Sequence, residues 1–402
     1  MPAENLDLII VGGGPAGIMA GLLFARAGCT VQVFEKHADF LRDFRGDTVH
    51  PSTMEILAEL GMLDRFLQRP HNQIQRADLR IAGREWQIAD LSGLPTVAPF
   101  IAMMPQWDFL DFLREEAEAY PGFRLAMSTP VAGFVEEQGR VAGVRLKDGR
   151  AMRSRLTIAA DGRSSIARDR LPLDALGTPI DVLWFSVDKE KQAEGALRFS
   201  LGGGAIVVLM DRGTYWQCAF VIPKGRAEEL MAHGIEPIHD TLRSVAPDLD
   251  LSRLRDTSDL KLLSVTIDRL TQWSSPGLLA IGDSAHAMSP IGGVGINLAV
   301  QDAVAAANIL AAPLAHGEDV GGLLSKVQER RMLPTRVIQR VQKFIQDRII
   351  WPVLSNGDQP VRPPIIARLF DRFAPLRSIP GRLMGVGIRR ERVRSPAAPI
   401  RP

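Results

Sequence analysis

Leu6-Asp7-Leu8-Ile9-Ile10-Val11-Gly12-Gly13-Gly14-Pro15-Ala16-Gly17 is the stretch that decides the fold. Leu6 to Val11 is an apolar run that reads as a buried strand, and Ile18 to Ala27 is apolar and helix-prone. A second strand-like run, Val31-Gln32-Val33-Phe34, ends at Glu35. Strand, glycine turn, helix, strand and acid together make a dinucleotide-binding unit. Gly12 permits the tight turn, Gly14 lets the backbone approach a pyrophosphate, and Gly17 lets helix and strand pack closely. Pro15 and Ala16 open the helix, whose free N–H groups face the anion. Glu35, followed by Lys36, is placed to accept hydrogen bonds from a ribose diol. This loop alone does not choose between FAD and NAD(P).

The chain has 402 residues, enough for two domains or for one large core with an insertion. Its net charge of +2 gives no case for nucleic acid. Only two cysteines occur, Cys29 and Cys218, which fits a reducing compartment and argues against a disulfide scaffold. Met1 to Leu6 lacks a basic segment and a cleavage site, so no signal peptide is expected. No apolar run reaches the ~18–20 residues of a membrane span, and membrane contact is not expected. A cytoplasmic enzyme is the expectation, with a homodimer left open.

Working outward, Pro51 to Leu60 has helical spacing, with Ser52 or Thr53 as its cap and Gly61 as its stop. Asp78 to Asp90 alternates and reads as a hairpin. A helix is expected over Trp107 to Ala119, after Met104-Pro105-Gln106. Val131 to Glu136, Val141 to Leu146 and Ser154 to Ala160 read as a meander returning to the parallel sheet. From Pro179 to Ile267 the chain becomes β-rich, with Gly202-Gly203-Gly204 as a hairpin turn rather than a second nucleotide site. Gly277 to Ile281 is a short buried strand, and helical patterns run from Gly322 to Ile350, where Pro334 is a candidate kink. From Arg377 on, seven arginines and several prolines suggest a tail that is partly disordered or lies on a surface.

Three separated motifs resemble those of the group A flavoprotein monooxygenases, the FAD enzymes of the para-hydroxybenzoate hydroxylase fold. The first is Gly12-x-Gly14-x-x-Gly17 with Glu35. The second is Asp161-Gly162, with Ser165 and Arg168 following. The third is Gly282-Asp283-Ser284-Ala285-His286, extended by Pro290-Ile291-Gly292-Gly293-Val294-Gly295-Ile296-Asn297. The resemblance does not reach the C-terminal hundred or so residues in any named motif.

The resemblance implies an α/β fold: a Rossmann-like FAD-binding domain, an inserted antiparallel β-sheet substrate domain and a helical C-terminal region. The expected division is FAD-binding over 1–75, 105–178 and 269–320, substrate domain over 76–104 and 179–268, and C-terminal helices and tail over 321–402. It also implies non-covalent FAD. Asp283 would meet a ribityl hydroxyl. The loop Gly292, Gly293, Gly295 and Asn297 after Pro290 would hold the flavin's pyrimidine edge at a helix N-terminus. Asp161 and Gly162 would hold the FAD side, and Arg168 would lie where NAD(P)H approaches. Arg45, with Arg42 as its competitor, and Gln106 are further FAD contacts implied in this way. His286 reads as structural, and His50 as a residue at the isoalloxazine entrance or on the surface. No metal site and no nucleophile elbow are indicated.

The chemistry implied is a monooxygenation. NAD(P)H, docking transiently, reduces FAD, and O2 forms a C4a-hydroperoxyflavin that hydroxylates a fairly apolar aromatic or polyketide-like small molecule. Trp184, Phe185, Phe199, Met210, Tyr215 and Trp216 are candidate lining residues, of which half should point elsewhere. The alternatives are a related reductase or halogenase, although no Trp-x-Trp-x-Ile-Pro motif occurs, or an FAD-binding protein without oxygen insertion.

Overall fold

The computed structural model describes residues 6–41, 47–189, 196–355, 357 and 361–398. Leu6–Val11 is the central strand of an eight-stranded sheet. Val31–Phe34 and then Phe123–Ala126 lie parallel on one side of it, and Ala151–Ala159 and then Leu278–Ala280 lie parallel on the other. Leu8, Ile9 and Ile10 are wholly buried, as expected for a parallel strand covered on both faces. The antiparallel pair Val131–Glu137 and Arg140–Leu146 returns the chain to Ala151–Ala159, which is the expected meander.

Helices Pro15–Arg26 and Gly295–Ala315 share one hydrophobic core on this sheet. The second helix differs from the reading of apolar runs above. The segment Ile291–Ala315 is long and apolar enough to cross a membrane by length and composition, despite Gln301 and Asp302. Some 72% of its most apolar window is buried inside the protein, which accounts for its all-round apolar character as a core helix.

A seven-stranded sheet stands apart from the first. Its order is Lys261–Leu263, Ile180–Asp188, Tyr215–Pro223, Ala205–Asp211, Ala196–Gly202, Arg76–Ile81 and Arg84–Asp90. The early hairpin Arg76–Asp90 joins it through a parallel pairing with Ala196–Gly202. Both faces are apolar. Along Ala205–Asp211, the side chains Ala205, Val207 and Leu209 pack with Ile238 and Leu242 of helix Glu236–Val245. The alternate residues Ile206, Val208 and Met210 face a large cavity. This alternation corrects the list of lining candidates. Trp184, Phe199 and Met210 border the cavity, whereas Phe185 and Trp216 belong to the opposite core and Tyr215 lies outside the lining.

The C-terminal region closes the molecule. Pro334 sits buried inside an uninterrupted helix, Leu324–Ile345, that continues through a π-helical turn. Beyond Ser378–Gly381 the described tail is a docked strap. Asn308 Oδ1 accepts the N–H groups of Arg394 at 2.7 Å and Ser395 at 2.9 Å, and Ala398 N–H donates to the Arg26 carbonyl at 2.8 Å. The tail up to residue 398 is therefore tied to helices of the first sheet's core by hydrogen bonds the composition does not reveal.

Candidate active site

The glycine turn is shaped by what a side chain would strike. Gly12 has a φ of +103°, and a Cβ there would lie 2.5 Å from the Ala160 carbonyl oxygen. A Cβ on Gly17 would lie 1.9 Å from the Gly12 carbonyl oxygen. Helix Pro15–Arg26 starts at Gly14 with no side-chain cap and no acid in its first turn, so its N–H groups are left for a ligand. Glu35 is buried beside the turn and accepts the Gly13 N–H at 2.8 Å and the His37 N–H at 3.0 Å. Gly12, Gly14, Pro15, Ala16, Glu35, Lys36 and Gln106 all border the cavity, whereas Gly17 works behind its wall. Arg45 and its competitor Arg42 fall outside the described residues.

The second and third motifs are laced together. Ser284 Oγ donates to Asp161 Oδ1 at 3.1 Å and accepts the Gly162 N–H at 3.0 Å. Asp161 Oδ2 accepts the Ile166 N–H at 3.1 Å. Asp161, Gly162 and Asp283 border the cavity, while Gly282 stands behind them with its N–H on Asp302 Oδ2 at 3.0 Å. Arg168 does not reach the cavity. Its guanidinium binds both oxygens of Asp268, at 3.0 and 2.8 Å, and the carbonyls of Asp283 at 2.7 Å and Ser284 at 3.2 Å. Its forked donors, expected from the resemblance to lie where NAD(P)H approaches, are occupied by the protein's own carboxylate and carbonyls. Arg163 is the arginine of this motif that borders the cavity, paired with Asp283 at 3.2 Å.

At the third motif Pro290, Gly292, Gly293 and Gly295 border the cavity. Helix Gly295–Ala315 begins with no side-chain cap and no acid in its first turn, so a second free N-terminus meets the same space. Thr48 Oγ1 donates to the Gly293 carbonyl at 2.8 Å and fixes the loop. Asn297 is not at the cavity. Its buried Oδ1 accepts from Ser52 Oγ at 2.7 Å and Thr53 Oγ1 at 2.8 Å. Those hydroxyls, expected as helix caps, tie helix Pro51–Glu59 to the loop's helix instead, and no side chain caps that helix. His50 is fully buried rather than at an entrance or on the surface. Burial pushes its pKa down to about 4 against the opposing main chains of Met384 and Gly293, so the imidazole is neutral at pH 7. The thiol of Cys29 is buried and pushed up to about 12, and burial likewise raises that of Cys218, so neither is a nucleophile at pH 7.

These loops and the seven-stranded sheet line one cavity of about 1440 Å³. That exceeds the ~300–1,000 Å³ of an ordinary small-molecule pocket and leaves room for a cofactor and a second molecule. The sheet wall is almost entirely aliphatic and aromatic, with Val182, Leu197, Phe199, Val208 and Val221 among its residues. Gln217 is polar, and beside it stands Asp47. Arg212 pairs with Asp47 and donates through Nε to Gln217 Oε1 at 2.7 Å. Burial raises the Asp47 pKa, and Arg212, Gln217 and the Gln106 N–H only partly offset this. Sequence reasoning passed over Asp47 and Arg163. The signals available were their places directly after Gly46 and Gly162. It also missed the C-terminal contribution to the lining, which includes Phe344, Ile366, Phe370 and Met384.

The residues present fit FAD. Two uncapped helix N-termini suit a pyrophosphate and the electron-rich edge of a flavin. The carboxylates of Glu35, Asp161 and Asp283 suit hydroxyls, and Gly12 keeps the turn free of side-chain bulk.

Comparison with known proteins agrees. A family model described as an FAD binding domain matches residues 5–341. The 6-methylpretetramide 4-monooxygenase of Streptomyces rimosus is 33% identical over 98% of this chain and 96% of its own length. The rifampicin monooxygenase of Streptomyces venezuelae is 27% identical over 85% of this chain and 71% of its own. The structure of PqsL from Pseudomonas aeruginosa in complex with 2-aminobenzoylacetate superposes with a TM-score of 0.77 at 21% identity, covering 86% of this chain and 97% of that one, a likeness of fold alone. The chain therefore belongs to the FAD-dependent aromatic monooxygenases, oxidoreductases that bind FAD, take electrons from NAD(P)H and transfer one oxygen atom of O2.

Proposed function

We propose that the chain hydroxylates a large, mostly apolar phenol of polycyclic or polyketide type, held between FAD and the apolar face of the seven-stranded sheet. In this reading that sheet is the substrate unit inserted into the FAD-binding fold, and residues from about 321 on complete the pocket. One observation carries it: a single cavity runs from the glycine turn at Gly12 to the sheet wall at Phe199 and Val208. The names of two relatives, acting on 6-methylpretetramide and rifampicin, support a bulky substrate.

The chain's own residues divide the work. Gly12 to Gly17 and Glu35 hold the adenylate half. Asp283 and the loop Gly292 to Gly295 orient the flavin half, with the helix N-terminus favouring negative charge there. Bound in this way, FAD supplies electron transfer from NAD(P)H and oxygen transfer to the substrate. The aliphatic wall excludes water from the reacting centre. Asp47 receives the phenolic proton at a carboxylate oxygen, and Arg212 and Gln217 orient it. A proton acceptor with a raised pKa is a better match to a phenol than an ordinary carboxylate.

The test is a panel of polycyclic and single-ring phenols assayed for stimulated NAD(P)H oxidation. Polycyclic members should stimulate oxidation and give products heavier by one oxygen. Turnover confined to small carboxylate-bearing rings would contradict the reading.

A further inference from the structure

Asp302 and Glu391 lie off the cavity and have no part in the reading above. Asp302 sits in the core helix Gly295–Ala315 and is wholly buried. It accepts three hydrogen bonds: the Gly282 N–H at 3.0 Å, His286 Nε2 at 2.6 Å and Arg331 Nε at 2.8 Å. Burial pushes its carboxyl up, but His286 and Arg331 overcome this and hold it below the usual range. Asp302 therefore fixes the backbone immediately before Asp283.

Arg331 is also wholly buried, so its charge needs carboxylates around it. One comes from Asp302, and the other comes from Glu391 on the C-terminal strap, 3.4 Å from Arg331 Nη1. Glu391 is itself buried, accepts from Arg330 Nε at 2.6 Å and donates its N–H to Gln301 Oε1 at 3.2 Å. Two carboxylates thus face two guanidiniums across three chain segments. If the strap leaves, Arg331 keeps one carboxylate, and its pull falls wholly on Asp302. The same strap touches the other flavin-side loop directly. The Met384 methyl lies 1.6 Å from where a Cβ on Gly292 would stand, so it is packed flat against that glycine.

We infer that the C-terminal strap is a working part of the cofactor site, with Glu391 and Asp302 as positioning residues that couple its docking to FAD binding. The inference rests on FAD occupying this cavity. Because coupling between two binding events is reciprocal, FAD must stabilise the docked strap as the strap stabilises FAD.

The experiment combines FAD titration of the apoprotein with hydrogen exchange of residues 389–398. Glu391→Gln should weaken FAD binding about tenfold, within the usual range of coupling energies, with the apoprotein still folding cooperatively. In the wild type, FAD should slow exchange of the strap amides. A fold defect alone would not make strap exchange depend on FAD, so this second readout stands even if the variant is unstable. Equal FAD affinity of variant and wild type, or strap exchange indifferent to FAD, would overturn the coupling and leave the cofactor site intact. A wild-type protein that takes up no FAD would overturn the site assignment, and the coupling with it.

Discussion

The two halves of the cavity are built from different materials. The half at Gly12, Asp161, Asp283 and Gly292 is mainly backbone: bare helix ends, turns at positive φ and carboxylates held by main-chain N–H groups. The half at Val182, Phe199 and Val208 is side chain projected from a regular sheet. At Gly12 and Gly17 the backbone-built half tolerates no added atom, because a Cβ there meets fixed main chain. A side-chain-built site tolerates exchange of one apolar group for another, because its lining holds shape by volume rather than by register. The first half is therefore suited to one cofactor, and the second to whatever apolar molecule the chain has come to oxidise.

Substitution on the backbone side should have the largest effects. Gly17→Val inserts atoms where a single Cβ is already 1.9 Å from the Gly12 carbonyl oxygen. Purified variant should carry no flavin and melt far below the wild type; yellow protein with a normal melting temperature would break the contrast. Asp283→Ala leaves the fold but removes a cavity-wall carboxylate and the partner of Arg163. It should lose most of its FAD, read as the ratio of flavin to protein absorbance.

Asp47 stands at the junction of the two halves. With its pKa raised, the wild-type rate should fall as pH drops through a value above the ordinary carboxylate range, because the protonated acid accepts no proton. Asp47→Asn should abolish that acidic limb and lower kcat by roughly 10²–10⁴, the usual worth of a general base, with flavin content unchanged. An unaltered pH profile would remove Asp47 from the chemistry.

The smallest effects belong to the sheet wall, where its two faces should separate. Phe199→Ala on the cavity face should raise KM without altering FAD content, by about 1–3 kcal/mol of lost pocket contact. Phe185→Ala on the opposite face should leave KM alone and cost about 3–5 kcal/mol of stability as a core truncation. Exchanged phenotypes would mean that the alternation is misassigned.

The same contrast explains what was legible in the sequence. Glycine clusters after apolar runs are readable because few residues besides glycine fit where a Cβ strikes main chain, as at Gly12 and Gly17. The parallel strands and the β-rich block were likewise legible from their apolar runs. Arg163 and Arg168 are indistinguishable as letters, and only the position of Asp268, a hundred residues on, decides which is consumed by the protein. Nothing local marks Asp47: its surroundings come from Arg212 and Gln217, on the turn and second strand of the hairpin Ala205–Pro223. The strap's arginine-rich composition left a disordered tail and a surface-bound one both open, and the contacts that dock it, Arg390 with Glu55 and the strap's backbone with Asn308, are encoded by no local pattern.

The central claim is that cofactor and phenol share one dry cavity, so that oxygen goes into the substrate. Turnover of a polycyclic phenol under labelled O2, with product mass and hydrogen peroxide measured together, tests it most directly. The account predicts one labelled oxygen in the product for each NAD(P)H consumed, with little peroxide. Peroxide equal to NAD(P)H for every phenol tried, with FAD bound and no label in any product, would contradict it.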